Sequence, residues 1–409
     1  VRGGAVGSGR LAVGGSNPKS GILNPKSEIN IEMSAMFKTA LRFLIFDKAK
    51  SIGALAGVII SVFLIGQQVG LLFFFFDAMG ALAINNQDYI WVTDNKTKNV
   101  NALSALDMRV GRQLAGITGV EHVYPIVVTA GAAKFANGKS GGLTLIGVQY
   151  PKFAGGPWRL EGASKNVLLT EGAVVTDYFD RAGLGDVNVG DYFEVNGKKV
   201  FLAANTKGVR SFAGTYAFTT IDRARYLGNF PTTQASAFLV KWKPGVSAAQ
   251  VIANINASPI FGIRAWDADE LSKSSINELL GSSGIAFSLG SLIVFALIVG
   301  FVIIGLTLYS AAIDRIRDYG TLKAIGANNW YVRRLILTQA LLIAVAGFGL
   351  GYVLVLGFKQ GIAQAGTLFE FPIWAPPAFL AITLFIAFFG AGFAIRRIVS
   401  LEPSAVFRG

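Results

Sequence analysis

Four stretches of this chain, at 52–76, 285–308, 335–358 and 378–395, contain no Asp, Glu, Lys or Arg. Crossing the hydrocarbon of a bilayer takes about 20 apolar residues, and backbone polar groups there must bond within their own helix. The fourth stretch is the shortest and is Gly-rich, yet Arg396 and Arg397 follow it at once as a stop. The chain is therefore expected to be an α-helical membrane protein with four transmembrane helices. Composition agrees: of 409 residues 52% are hydrophobic and 15% charged, against about a quarter charged in ordinary soluble domains.

The placement of charge orients the spans. Residues 1–50 carry 8 Lys/Arg against 3 Asp/Glu, 77–280 carry 20 against 17, and 281–409 carry 9 against 4. Arg42, Lys48 and Lys50 precede the first span; Arg315, Arg317, Lys323, Arg333 and Arg334 separate the second from the third; Arg396, Arg397 and Arg408 follow the fourth. With four spans, all of these fall on one side, which the positive-inside bias makes cytoplasmic. Both ends of the sequence and 309–334 are then expected on the cytoplasmic side of a bacterial inner membrane, with 77–280 and 359–377 facing out. A basic excess that flanks apolar spans points to membrane lipid as a contact and away from nucleic acid.

The expected layout is a disordered tail at 1–35, with Met33 or Met36 as alternative functional starts. An amphipathic surface helix follows at 36–50, carrying Phe37, Leu41, Leu44 and Ile45 among basic residues. The first span occupies 51–76, an extracytoplasmic α+β domain 77–280, and the second span 281–308. A cytoplasmic segment at 309–334, a third span at 335–358, an outer loop at 359–377, a fourth span at 378–395 and a tail at 396–409 complete it. The domain at 77–280 alternates β-branched runs such as "HVYPIVVTA" and "DYFEVNGKKVFLAA" with helical patches, the last of which, "DADELSKSSINELLG", is expected to run on into the second span.

"AKFANGKSGG" at 133–142 lies one substitution from the phosphate-binding pattern G-x-x-x-x-G-K-[ST]. That chemistry needs a strand before the loop and a helix after it, so that backbone N–H groups and a helix N-terminus surround the phosphates. Here the sequence runs into strand-like "GGLTLIGV", and Asn137-Gly138 signals a type I′ hairpin. The stretch reads as a turn with an exposed Lys139. His122 is the only histidine and there is no cysteine, so His clusters and thiolate sites are excluded, and the carboxylates of 77–280 show no catalytic spacing. No cofactor, metal or catalytic residue is expected. The uncharged spans argue against ion-coupled transport, which marks itself by intramembrane ionisable groups. Gln67 and Gln68 are read as interhelical hydrogen-bonders or substrate contacts. Gly53, Gly57, Gly66, Gly70, Gly347 and Gly351 lie at four-residue spacings that permit close helix packing or dimerisation.

Between the second and third spans lies "AAIDRIRDYGTLKAIGANNWYVRR". On one helix Asp314 and Arg315 would share a face with Asp318, Gly320 and Gly326 would mark bends, and Ala327-Asn328-Asn329 would cap the next helix. A short, partly apolar helix bracketed by charge suits docking into a groove of a partner, although a positive-inside loop that re-enters as a helix would look similar.

"RIRDYGTLKAIGA" before a Gly-rich span, together with the closing "RRIVSLEPSAVFRG", resembles the FtsX/MacB-like ABC transporter permeases. The resemblance runs from about Met36 to Gly409. The layout and "GQQVG" in the first span are most similar to stand-alone permeases of the DevC or LolC/LolE kind. It implies a MacB-like periplasmic core domain, no fused ATPase, and a coupling helix seated on a separate cytoplasmic ABC ATPase subunit that binds the ATP. By position that helix would use Tyr319, Gly320, Thr321, Leu322, Lys323, Ala324, Ile325 and Gly326, flanked by Arg315, Arg317 and Asp318; Asp318 stands where the family commonly carries Glu. The implied activity is mechanotransmission, with ATP hydrolysis elsewhere driving export or extraction of an amphipathic cargo. Implied partners are a second permease protomer, identical or not, and a periplasmic adaptor. An FtsX-like signal transducer that transports nothing is the alternative.

Overall fold

The structure, a computed structural model, describes residues 25–399 apart from Asp47, Ala213 and Ser283. The expected tail lies mostly outside these residues, but its last part is helical: α1 spans Pro25–Phe46, beginning well before residue 36. Its Ala40 is fully buried, whereas Phe37, Leu41 and Ile45, at i, i+4 and i+8, form an exposed apolar stripe. Leu44, expected on that stripe, instead packs against the helical bundle.

α2 (Lys48–Ile84) is a single unbroken helix of 37 residues, about 55 Å at 1.5 Å per residue. It has no proline, and its uncharged stretch ends only at Asp77. It therefore outruns the expected span and enters the domain that follows. Ala81, Leu82 and Ala83 sit in one core cluster with Trp91, Ile126, Phe218 and Leu239. There Asn101 Nδ2 donates to the Met79 carbonyl at 2.7 Å, and Tyr216 Oη donates to Asn101 Oδ1 at 3.0 Å.

That sheet domain contains β1 (Ile90–Asp94), β2 (Leu106–Asp107), α3 (Met108–Ala115), β3 (Val120–Lys134), β4 (Ser140–Val148), β5 (Ala173–Asp177), β6 (Tyr192–Val195), β7 (Lys198–Thr206), β8 (Thr215–Thr220), α4 (Ile221–Gly228), β9 (Gln234–Ala235), β10 (Ala237–Trp242), α5 (Ala248–Asn256), β11 (Ile263–Trp266) and α6 (Ala268–Ser282). Nine of these strands form one mixed sheet in the order β11-β1-β10-β3-β4-β8-β5-β7-β6. The 15-residue β3 is its pivot. Its first half pairs with β10 and its second with β4, while its last two residues also reach β6 and curl the sheet around a second core of Phe135, Leu145, Phe193 and Val195. Where the chain must reverse between β6 and β7, Asn196 and Gly197 take the two positive φ values, 50° and 74°, of a type I′ hairpin.

Among the described residues, four helices are long and apolar enough to cross a membrane: Ser51–Ile84 within α2, Gly290–Ile313 within α7 (Ile285–Ile313), α9 (Asn329–Ala363) and α10 (Ala375–Val399). The expected run of α6 into α7 does not occur. Gly284 adopts φ +65°, a left-handed conformation that no helix continues and that glycine enters at little cost. α9 shows why the bundle forms: Leu335, Gln339, Ile343, Gly347, Gly351 and Val355 recur every four residues and are buried together on one stripe.

Five of the six spaced glycines sit at close contacts. A Cβ on Gly57 would meet Thr307 at 2.7 Å, on Gly66 Val355 at 2.5 Å, on Gly70 Phe369 at 2.5 Å, and on Gly347 Val58 at 2.5 Å. On Gly351 it would lie 2.8 Å from Val62 and 3.0 Å from the Ile59 carbonyl oxygen. Gly53 faces open space, so its spacing from Gly57 marks no contact within this chain.

Candidate coupling surface and its support

The segment between α7 and α9 folds as a separate short helix, α8 (Ile316–Ala324). The chain turns before it: Asp314 closes α7, and Arg315, at φ −102° and ψ 17°, is not helical. Asp314 and Asp318 therefore do not share one helix. Gly320, expected at a bend, lies inside α8 and is buried. Gly326 does end the helix, at φ +110°. Its N–H reaches the Lys323 carbonyl at 3.1 Å and the Ala327 N–H reaches the Leu322 carbonyl at 2.9 Å, the paired bonds of a Schellman cap. Asn328 then starts α9, its side chain accepting from the N–H groups of Trp330 at 2.6 Å and Tyr331 at 3.2 Å.

α8 divides the expected coupling residues into two sets. Arg317, Asp318, Thr321, Ala324 and Ile325 are exposed, as is Gly326. At 100° per residue the first five fall within about a third of the helix circumference. Ile325 is 80% exposed and projects an apolar group from a rim of charge. In the first turn of α9 Trp330 is also exposed, its ring stacked by the Arg334 guanidinium at 3.5 Å. Arg315, Tyr319 and Gly320 turn inward, with Leu322 and Lys323 half-buried.

The inward set explains how α8 is held. Tyr319 is completely buried, stacks on Phe43 of α1 with centroids 6.2 Å apart, and donates from its hydroxyl to Gln339 Oε1 of α9 at 2.9 Å. Burying such a side chain contributes about 1.5–3 kcal/mol. That burial, more than any neighbouring charge, pushes its hydroxyl up to about 12, so it remains a neutral donor. Arg315, only 4% exposed, donates from Nη2 to Ser51 Oγ of α2 at 2.9 Å. Lys323 Nζ donates to the Val399 carbonyl of α10 at 2.9 Å. One short helix is thereby tied to α1, α2, α9 and α10. Sequence reasoning missed Phe43, Ser51 and Gln339 as its supports. Gln339 carried a signal, being a lone amide near the start of an apolar span, as did the i, i+4 spacing of Arg315 and Tyr319.

The nucleotide-like stretch is strand, turn and strand. Phe135 N–H bonds to the Lys139 carbonyl at 2.9 Å and Gly138 N–H to the Phe135 carbonyl at 3.0 Å, enclosing a three-residue loop that ends on Gly138 at φ +80°. This hairpin places positive φ on the glycine alone and is not type I′. Lys139 is exposed, 3.5 Å from Asp186. His122 is exposed on β3 beside Tyr124. Among the described residues no group of three His, Cys, Asp or Glu could hold a metal. Gln67 and Gln68 are half-buried on α2, and neither side chain has a hydrogen-bond partner among the described residues.

Residues 290–403 match the family described as FtsX-like permease C-terminal. Two curated relatives, both described as uncharacterized ABC transporter permeases of Mycobacterium tuberculosis, are 29% identical over 137 residues, covering 33% of this chain and 38% of theirs. The matched part thus spans well under half the length of those relatives. Among solved structures, the periplasmic region of MacB from Actinobacillus actinomycetemcomitans is similar at 14% identity, covering 46% of this chain and 92% of that one at a TM-score of 0.34. The extracellular domain of YknZ, from Gram-positive bacteria, is similar at 15% identity over 44% of this chain and 98% of its own, with a TM-score of 0.31. Residues 290–403 are thus similar to FtsX-like permeases, and a third of the chain is similar to ABC transporter permeases.

Proposed function

With the FtsX-like permease region at residues 290–403 as premise, we propose that this chain is a permease subunit that seats α8 on a separate cytoplasmic ABC ATPase and transmits its motion to the sheet domain. The carrying observation is the division of α8 between an exposed face, with Ile325 80% exposed, and a buried face bonded to Gln339 and Ser51. A surface meant only for solvent has no need of a protruding isoleucine, and one held by four neighbouring helices moves as part of them. The lever from there is α2, which reaches unbroken from the Ser51 contact into the core of the sheet domain.

In this reading ATP binds to the partner and the cargo is an amphipathic molecule exported or extracted on the sheet-domain side, with a periplasmic adaptor as a further partner. The localisation is the inner membrane, with α8 cytoplasmic. A second protomer is favoured by Gln67 and Gln68, whose amides lie in an apolar span without hydrogen-bond partners among the described residues and would find them across a dimer. The same lever would serve a signal transducer without transport. Vesicles containing the permease and its ATPase separate the two: ATP-dependent release of a lipidated or amphipathic cargo supports export, and ATPase-dependent change in the sheet domain without release supports signalling. Co-purification of the ATPase with the Ile325→Asp variant tests the docking itself, and recovery equal to wild type would sink it.

A further inference from the structure

Where α2 leaves the apolar span, it borders a cleft of about 350 Å³ between the sheet domain and the α9–α10 connection. The connection is held on both sides. Phe369 fits against Gly70, Phe179 of the sheet domain lies over Gly366, and Leu368 lies over Gly208. Below the cleft an aromatic layer joins Phe73 to Trp374 at 5.9 Å and to Phe371 at 6.4 Å. Of these, Trp374 is of the kind that gathers at the level of lipid headgroups. Two charges mark the same level independently: Asp77 is the first after the uncharged stretch of α2, and Lys359 the first after that of α9.

Both line the cleft, together with Glu370 from the connection and Arg159 and Arg210 from the sheet domain, over an apolar wall that includes Phe74 and Phe369. Arg210 is already bonded to Asp180. The other four form no ion pair among the described residues, although two anions and two cations face one space. Groups of opposite sign that converge from four segments without closing on one another leave room for a ligand bearing both charges. A volume of about 350 Å³ falls at the lower end of small-molecule sites, about 300–1,000 Å³.

We propose that this cleft holds the headgroup of a zwitterionic aminophospholipid from the adjoining leaflet, its phosphate against Arg159 and Lys359 and its ammonium against Asp77 and Glu370. The arginine fork suits a phosphate and the paired carboxylates suit an ammonium with its three donors. The acyl chains leave past Phe74 toward the span. The site depends on the four helices crossing a membrane, and not on the docking of α8, so its failure would leave the coupling reading standing.

The test is lipid binding to the purified, delipidated full chain, without nucleotide or ATPase, read by native mass spectrometry. Phosphatidylethanolamine is expected to bind about tenfold more tightly than phosphatidylglycerol, the effect of about one charge-assisted hydrogen bond. The double substitution Asp77→Asn with Glu370→Gln should abolish that preference and leave phosphatidylglycerol binding intact; Arg159→Gln with Lys359→Gln should weaken both lipids. Equal binding of the two lipids by the wild-type chain overturns the proposal, and this comparison needs no variant to fold. Soluble phosphoethanolamine competing as well as the lipid would overturn the leaflet as the source.

Discussion

The sheet domain and the helical bundle exclude solvent by opposite means. In the sheet domain the fully buried side chains are large, with Trp91, Phe153, Tyr216, Phe218 and Phe238 among them. Its buried carboxylate is fully bonded: Asp177 accepts from Thr206 Oγ1 at 2.9 Å, from Val209 N–H at 2.7 Å and from Phe179 N–H at 3.0 Å. In the bundle many of the buried positions are small: Ala40, Ala54, Ala340, Ala344, Ala387 and Ala391. Gly305 and Gly390 face each other so closely that a Cβ on Gly390 would lie 2.7 Å from the Gly305 Cα. Water drives large apolar groups together in one region. Among lipid tails that drive is absent, and close backbone approach replaces it. The lesson is that lost bonds and lost bulk should harm the first region, and added bulk the second.

The largest expected effect comes from Asp177→Ala, which leaves three donors facing a dry interior and should cost at least about 3 kcal/mol in unfolding of the full chain by denaturant. Burial pushes the Asp177 carboxyl up, against the bonds that lower it, and does the same to Asp180. The native state therefore binds protons more tightly than the unfolded chain. These two groups' contribution to stability should fall as pH rises from the ordinary carboxylate range through their raised values, and Asp177→Asn should flatten that slope. Next in size, Gly390→Ala or Gly351→Ala should destabilise the detergent-solubilised chain by about 1–3 kcal/mol in thermal melts, because the blocking atoms include backbone. Gly53→Ala should shift the same melts by no more than about 1 kcal/mol, in the stabilising direction. Loss of ATPase recovery in Ile325→Asp should be about tenfold with an unchanged melting temperature, since that side chain supports nothing within the chain. Smallest of all, Lys139→Ala should alter stability by less than about 0.5 kcal/mol and leave ATPase activity of the complex intact. If glycine substitutions were harmless while Gly53→Ala unfolded the bundle, the contrast between the regions would be wrong.

Much of this was legible in the sequence because the forces involved are local. Uninterrupted apolar length marks a membrane helix wherever it docks, whereas Asn-Gly marked a hairpin at 137–138 without fixing its turn type. What depended on partners was not legible. The pair Gly53 and Gly57 has the same spacing as Gly347 and Gly351, yet which glycine meets a neighbour depends on where the other helix lies. Charge near α8 read as an outward face, but Arg315 and Tyr319 turn inward because Ser51 and Gln339, far away in sequence, wait there. The break at Gly284 was hidden by apolar residues on one side and a strong helical pattern on the other, and one left-handed glycine overrode both. The cleft beside Asp77 needed four segments to meet, so no single stretch announced it.

Two helical connections join the membrane bundle to the sheet domain, and only one of them is unbroken. α2 is continuous, whereas α6 and α7 meet at the left-handed joint of Gly284. If α8 is pushed as proposed, α2 would carry that displacement along one continuous helix, whereas α7 could pass it on only across the break at Gly284. In the proposed reading such an asymmetric pair would work as a crank and its tether, the driven shaft setting the stroke and the jointed arm holding the load to its axis.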